Sequence, residues 1–312
     1  MTLYARKTLI LAGLEATYGV GAVLAGANAI DVTDPKVTPI AGGTVESNSV
    51  RPYMGARRRT QTRTHRVVEF GVEAGGAGAP TTIPAWGVLV RACGMAETVV
   101  NTVGQEKVAY TPVSAAFDSA VIDAYLDGQL RRLAGARGTM TMRFVAGELP
   151  LLGFNFLGLW SAPSAPVAPA PDYSAFRDAV VVSDANTPTF TLDGVNLVLK
   201  EFTVDLGGQV GFRDVVNQAA VHISDRAVTG TAVFDLPALA DFDVEALAKA
   251  GTRVALTFEH GTVAGDILGV TAANVQLLEP SFGDDEGILT CTVNLVFVPG
   301  DSGGDDVTLY SK

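Results

Sequence analysis

The sequence has little of what metal sites and disulfide scaffolds require. Of its 312 residues, two are cysteine, three are histidine and 18% are charged. Cys93 lies in a helical pattern and Cys291 in a strand pattern, so they suggest neither a disulfide framework nor a zinc site, which needs more ligands at closer spacing. We therefore predict two small core thiols in a reducing compartment, no metal site and no cofactor.

Long hydrophobic runs are also missing. Arg6 and Lys7 precede LILAGL, but Glu15 ends the apolar stretch after about six residues, whereas a signal peptide needs about 7–15. No stretch reaches the roughly 18 apolar residues of a membrane span. We expect a soluble protein that is not exported by the usual route.

Glycine and short β-branched runs are abundant, with 34 glycines and 48% hydrophobic residues. This composition predicts a mainly β protein with many turns. Two short helices are expected, one over 84–95 and one over 241–251, with Asp241 or Asp243 as N-cap and Gly251 as the stop. The predicted strands are HRVVEFGVE, KVAYTPV, AVIDAYLDG, GTMTMRFVA, LLGFNFLGLW, PTFTLDG, NLVLKEFTVDL, AVTGTAVFDL, TRVALTFEH, NVQLLEP and ILTCTVNLVFV.

The order of these elements occurs twice. In each half a polar, glycine-containing hairpin leads to an arginine, Arg51 or Arg213, followed by a strand, a helix, paired strands and a terminal hairpin. An internal duplication explains this order. We predict a first domain over 1–160, a Pro/Ala-rich linker over 161–172, a second domain over 173–300 and an acidic, Gly-rich tail over 301–312.

Several segments along the chain resemble one family. LILAGLEATYGVGAVLAGANAI, VESNSVRPYMGA, PAWGVLVRACGMAE, LAGARGTMTMRFVAGELPLLGFNFLGLWSAP and ISDRAVTGTAVFD are similar, in this order, to major tail tube proteins of long-tailed (siphovirus-like) bacteriophages. The resemblance implies β-sandwich or barrel domains with a flanking helix, and subunits whose rings stack into a hollow tube. Most relatives carry one such domain and form hexamers; two domains here point to a trimer, with a hexamer as the alternative.

Three motifs resemble catalytic or ligand-binding motifs. GDSGG around Ser302 matches the nucleophile segment of chymotrypsin-like proteases, but no histidine lies in a matching motif and only ten residues follow. FGDDEG is expected to be a solvated hairpin tip rather than a calcium loop. The glycines over 19–26 have the wrong spacing for a dinucleotide loop. We predict no catalytic residue.

Charge is unevenly divided along the chain. Residues 1–160 hold 15 Lys and Arg against 12 Asp and Glu, whereas residues 161–312 hold 7 against 21, in a protein of net charge −11. The interpretation we prefer is that basic residues meet an acidic neighbouring subunit or ring; a solvated arginine face and a DNA contact are the alternatives. The predicted contact residues are Arg51, Arg57, Arg58, Arg59, Arg63, Arg66 and Arg213.

We therefore expect a structural virion protein that self-assembles into the tail tube, the conduit for DNA ejection. Its expected partners are copies of itself, tape-measure proteins and tail terminator or tip proteins, while DNA passes the lumen without specific binding. Assembly is expected in the cytoplasm of the host bacterium. The alternatives are a tube protein of a contractile or secretion apparatus, an adhesin or a nucleic-acid-binding protein.

Overall fold

The computed structural model describes residues 2–4 and 6–312, and antiparallel strands make up most of them. The mainly β prediction is confirmed. Up to Trp160 the chain forms nine strands, a short 3-10 turn over Gly26–Asn28 and one helix. They are β1 (Thr8–Leu14), β2 (Ala29–Ile30), β3 (Thr33–Glu46), β4 (Arg59–Glu73), α1 (Gly87–Ala92), β5 (Met95–Val100), β6 (Lys107–Pro112), β7 (Ala120–Leu126), β8 (Gln129–Val145) and β9 (Leu151–Trp160).

The second half contains ten strands and one helix. They are β10 (Thr189–Leu192), β11 (Val195–Asn196), β12 (Leu199–Asp205), β13 (Gly208–Val215), β14 (Gln218–Arg226), β15 (Thr229–Asp235), α2 (Val244–Ala250), β16 (Arg253–His260), β17 (Leu268–Asp285), β18 (Ile288–Phe297) and β19 (Thr308–Ser311).

Both halves have the same strand order. In the first half the pairings give β3-β4-β9-β8-β7-β1-β2, and in the second they give β12-β15-β18-β17-β16-β10-β11. Strands with the same rank in the sequence lie at the same place in the two sheets. The additional strands, left out of this ranking, are the hairpin β5–β6 in the first half and β13, β14 and β19 in the second.

A long hairpin extends from each half. In the first half it is β3 with β4, joined by a loop over 47–58. In the second half β12 continues into β13 and β14 continues into β15, and the outer part, β13–β14, forms a separate two-stranded sheet. We call β13–β14 the second arm, and the outer part of β3–β4 with its loop (residues 40–63) the first arm.

Two sets of backbone pairs join the halves. β12 pairs with β8 over five residues, and we call this pairing the inter-half seam. The C-terminal strand β19 lies between β17 and β6, and so connects the second half to the extra hairpin of the first. Residues 301–312 were predicted to be a tail, but their last part forms this buried strand. Leu309 of this strand and Val307, just before it, are fully buried.

One continuous cluster of buried side chains spans both halves. Phe144 of β8, for example, packs against Phe258 of β16 with ring centroids 4.4 Å apart. Because apolar residues alternate along each strand, one face of each sheet is turned toward this core. The sheets form no closed barrel within the described part of the chain. The division into two domains stays a prediction.

Both predicted helices are present and shorter than expected. Asp243 caps α2, because its carboxylate accepts a hydrogen bond from the Ala246 N–H at 2.9 Å. Gly251 ends the helix with φ +63°, a left-handed conformation that glycine adopts at little cost. Cys93 and Cys291 are buried and unpaired, as predicted.

Candidate subunit interface

Most of the predicted arginines lie on the first arm or its counterpart. Arg51, Arg57 and Arg58 are exposed in the loop over 47–58. Arg59 and Arg63 are exposed on β4, and Arg59 donates a hydrogen bond to Glu46 at 2.9 Å across the hairpin. Between residues 46 and 63 the first arm holds five arginines against one glutamate. The geometry therefore brings these side chains together on one projecting, basic element.

Arg213 lies on the other arm. It is exposed on β13, as Arg51 is exposed beside the end of β3, so the two arginines used to align the halves both sit on hairpin arms. Neither side chain has a carboxylate partner in its own chain among the described residues.

Arg66 is an exception, and its assignment to a subunit contact is wrong. Its side chain is fully buried and donates three hydrogen bonds to backbone carbonyl oxygens, at 3.3 Å, 2.8 Å and 3.0 Å. The acceptors are Pro39, Arg132 and Ser161. Burial lowers the pKa of the guanidinium from its usual value. The sequence carried a signal for this placement, because Arg66 has the same parity along β4 as the buried Val68.

The loop of the first arm also exposes apolar side chains that sequence reasoning missed. Val50 and Met54 are almost entirely exposed, and Tyr53 is mostly exposed. Arg51 donates a hydrogen bond to the Tyr53 hydroxyl at 2.6 Å. Exposed apolar residues next to arginines are typical of protein contact surfaces.

The second arm packs against a surface of its own chain. It lies over β8, β9 and β4 of the first half. The Val221 N–H donates to the Tyr18 hydroxyl at 2.6 Å, and Arg137 donates to the Val221 carbonyl at 3.0 Å. The rings of His65 and Phe212 stack with centroids 4.9 Å apart. One half thus lays its arm across the other half.

A largely buried ion pair within the second half lies beside its contact with the first half, near β19. Arg226, at the end of the second arm, donates two hydrogen bonds to the Asp306 carboxylate at 2.8 Å and 3.1 Å. Its third hydrogen bond goes to the Val113 carbonyl of the first half at 2.7 Å. A cavity of about 570 Å³ lies beside this pair and is lined by residues of both halves, Phe117 and Ile223 among them.

The hairpin that joins β17 to β18 is the clearest exposed apolar feature of the second half. Phe282, Ile288 and Leu289 are each about half exposed there. Aromatic and aliphatic side chains at this exposure, grouped at the end of one hairpin, mark a contact surface rather than scattered surface residues.

The motifs that resemble catalytic or ligand-binding motifs have structural roles. Ser302 is exposed in a loop that the Gly300 N–H closes onto Asp305 at 2.8 Å. His260 is buried, with hydrogen bonds to the Thr187 hydroxyl and the Val180 carbonyl. Asp284 accepts from the Gly287 N–H, which makes FGDDEG a hairpin turn. In the described part of the chain no group of three potential metal ligands comes together.

The comparison with protein families decides the identity of the molecule. The family model described as phage tail tube protein matches residues 5–309, nearly the whole chain. The chain belongs to the phage tail tube protein family. Comparison with curated proteins gives no match.

Membership makes this chain a structural protein of the virion tail. A tail tube protein associates with copies of itself, so its exposed arms and sheet edges are candidate contact surfaces. In the described residues no helix is long and apolar enough to cross a membrane.

Proposed function

We propose that this tail tube protein forms trimeric rings of six pseudo-equivalent β units, and that the rings stack into the tube that conducts DNA during ejection. The observation that carries this proposal is the repeated strand order, with the two halves joined edge to edge at the inter-half seam. A head-to-tail contact that can be repeated from chain to chain forms a ring when its rotation closes. Three chains of two units each supply six units.

The units of this ring are residues 1–160 and 173–300, with 161–172 as the connector. The shared strand order supports two copies of one unit, while the continuous core and β19 explain why they act as one body. Closing a ring removes the free sheet edges that an isolated subunit exposes, which is the usual way to avoid indiscriminate edge pairing.

The tube meets DNA and other tail proteins without binding DNA specifically. With a net charge of −11, the subunit repels phosphate on average, so a transiting genome is not retained. Tape-measure and tail terminator or tip proteins are its further partners, and assembly takes place in the host cytoplasm.

The basic residues of the first arm, with Arg213, contact a neighbouring subunit or ring. Exposed ion pairs contribute only about 0–1 kcal/mol each, but they are repeated around every ring. The acidic second half, with 7 basic against 21 acidic residues, supplies partners. Assembly should therefore weaken as salt approaches about 1 M, where the screening length falls to about 3 Å.

A triple variant tests the arm. Arg57, Arg58 and Arg59 changed to serine should leave a folded subunit that assembles poorly, because these side chains are exposed. Lys7, Lys249 and Arg253, also exposed, changed to serine give a control with the same loss of charge. If the first variant builds normal tubes and changes only DNA passage, the DNA-contact interpretation is right.

Electron microscopy of concentrated subunit, with the mass of an isolated ring, tests the function itself. Tubes with three chains per ring are expected. Six chains per ring would contradict the trimer but not the tube, whereas a chain that stays monomeric at every concentration would contradict both.

A further inference from the structure

The inter-half seam supplies a template for a contact between chains. β12 lies between β15 and β8, and in its pairing with β8 Val204 stands opposite Met142. Both side chains are buried, with 1% and 0% of their surface exposed. In this chain, therefore, an edge strand of the second half is covered by the end of a strand from the first half.

The positions that correspond to this pair in the other half can be found from a shared irregularity. β8 carries one extra residue opposite β7 between Leu133 and Ala136, and β17 carries one extra residue opposite β16 between Ala272 and Val275. These matching bulges align Ala136 with Val275.

The cross-strand pairs then extend the alignment across each sheet. One row reads Gly138–Phe156–Val68–Val37 and its counterpart reads Leu277–Leu295–Gly230–Val204. A second row reads Met142–Leu152–Val72 and its counterpart reads Phe282–Cys291–Phe234. Val37 is therefore the counterpart of Val204, and Phe282 is the counterpart of Met142.

In the described part of the isolated chain no further strand pairs with the outer edges on which these counterparts lie. Among the described residues β3 pairs only with β4, and the last residues of β17, Ser281–Asp285, pair only with β18. Phe282 is 49% exposed although its counterpart, Met142, is fully buried. Val37, only partly buried, packs at the margin of the core, with its outer edge open. The chain therefore has one open counterpart of β12, on β3, and one open counterpart of the paired part of β8, on β17.

We propose that these two open edges pair between chains: the free edge of β3 pairs with residues 281–285 of β17 in a second copy, with Val37 opposite Phe282. This deepens the proposed function, since it names the surfaces by which copies join into a ring. The contact repeats the inter-half seam, so successive units are related by the same step and the ring is heterologous. In this contact Phe282, which is 49% exposed in the isolated chain, becomes buried as its counterpart Met142 is buried within the chain.

Two prolines limit how far this contact extends. Pro35 and Pro39 flank Val37 in β3, and proline has no N–H to donate to a ladder. The backbone contribution is therefore short and centred on Val37, and side-chain burial supplies the rest. Prolines at these positions also discourage β3 from pairing along its whole length with unrelated strands.

Cross-linking tests the register. Residues directly opposite in a ladder bring their Cβ atoms to about 4.5–5.5 Å, close to the reach of a disulfide. The chain with Val37→Cys and Phe282→Cys, in a Cys291→Ala background because Phe282 stands opposite Cys291, is assembled and oxidised. Denaturing gels without reductant should show a ladder of linked chains that stops at three. Val204→Cys with Met142→Cys is the control, and should link within one chain without a ladder.

A charged variant tests the energetics. The Phe282→Asp subunit should have a melting temperature within a few degrees of the unmodified subunit. The concentration that it needs to form rings should be at least tenfold higher, because a carboxylate would be buried at the contact. Leu239→Asp is the matched control, since Leu239 is 74% exposed in a loop outside the seam counterparts, and should assemble normally.

The outcomes separate this inference from the proposed function. If unmodified chains build tubes but the cysteine pair gives no ladder, or Phe282→Asp builds tubes normally, the edges join by another route and the inference is wrong while the function stands. A ladder that stops at six supports the contact and contradicts the trimer. Unmodified chains that never associate contradict both.

Discussion

Replacing Arg226 or Asp306 tests how much one buried ion pair, beside the contact between the two halves, contributes to stability. The side chains are 19% and 6% exposed, and they share two hydrogen bonds of 2.8 Å and 3.1 Å. Removing one partner of a buried pair leaves the other charge without compensation, which typically costs about 3–5 kcal/mol. We expect Arg226→Ala to lie in this range, because it also removes the hydrogen bond to Val113. Replacing both residues, as Arg226→Met with Asp306→Leu, should cost clearly less than the two single changes added together.

The exposed pair between Arg59 and Glu46 provides the comparison. Its side chains are 69% and 40% exposed, so solvent screens the attraction and Arg59→Ala should change the free energy of unfolding by less than about 1 kcal/mol. Urea unfolding, followed by the fluorescence of the buried Trp86, measures both variants. The measurements are made at concentrations below assembly, since association stabilises the folded chain by mass action.

Equal losses of stability from Arg226→Ala and Arg59→Ala would refute this reasoning. If Arg226→Ala cost no more than Arg59→Ala, the Arg226–Asp306 pair and its hydrogen bond to Val113 would stabilise the fold no more than an exposed ion pair does. Additive effects of Arg226→Met and Asp306→Leu would show that the two side chains do not act as a pair.

Three further predictions concern groups in the core. Phe144→Ala should lower the free energy of unfolding by about 3–5 kcal/mol in urea titrations, because Phe144 packs 4.4 Å from Phe258; a loss below about 1 kcal/mol would show that the site collapses or that the contact is weak. Burial lowers the pKa of His260, opposed by its hydrogen bond to a backbone carbonyl, so the unfolded state takes up the proton more readily. Stability should be complete above the unfolded pKa of about 6.5 and fall as the pH drops below it, and His260→Gln should flatten that part of the curve. Burial raises the pKa of Cys291 to about 11, so a thiol reagent at pH 8 should label it only after urea unfolding; rapid labelling of the folded chain would contradict its placement.

Much of the secondary structure and the exposed position of most arginines of the candidate interface could be predicted because their signals are local. Alternation of apolar residues located β4, β7 and β9, and Asp243 with Gly251 marked α2, since a cap and a left-handed residue act within one turn. The order of these signals also indicated the repeat, which the strand pairings reproduce in both halves. The clustering of exposed arginines on one hairpin followed from the same reading.

Other features depend on which distant segments meet. Alternation along β4 could have placed Arg66 inside, but its three carbonyl acceptors come from other parts of the chain and none is visible locally. The exposure of Phe282 points to a contact only when it is compared with the burial of its counterpart Met142. The two residues occupy corresponding positions in their strands, but a strand of the other half covers only Met142.

The sequence by itself determined the strands, the caps, the basic arm and the twofold repetition of elements, since each depends on residues close in the chain. The tertiary structure alone decided that β12 covers β8, that β19 is a strand between β17 and β6, and which edges stay open. Such pairings join residues about 40 to 200 positions apart, as between Val270 and Leu309 or between Leu309 and Tyr110. Their backbone hydrogen bonds are available to any strand, so the choice of partner comes from the complementary burial of both faces rather than from a local pattern.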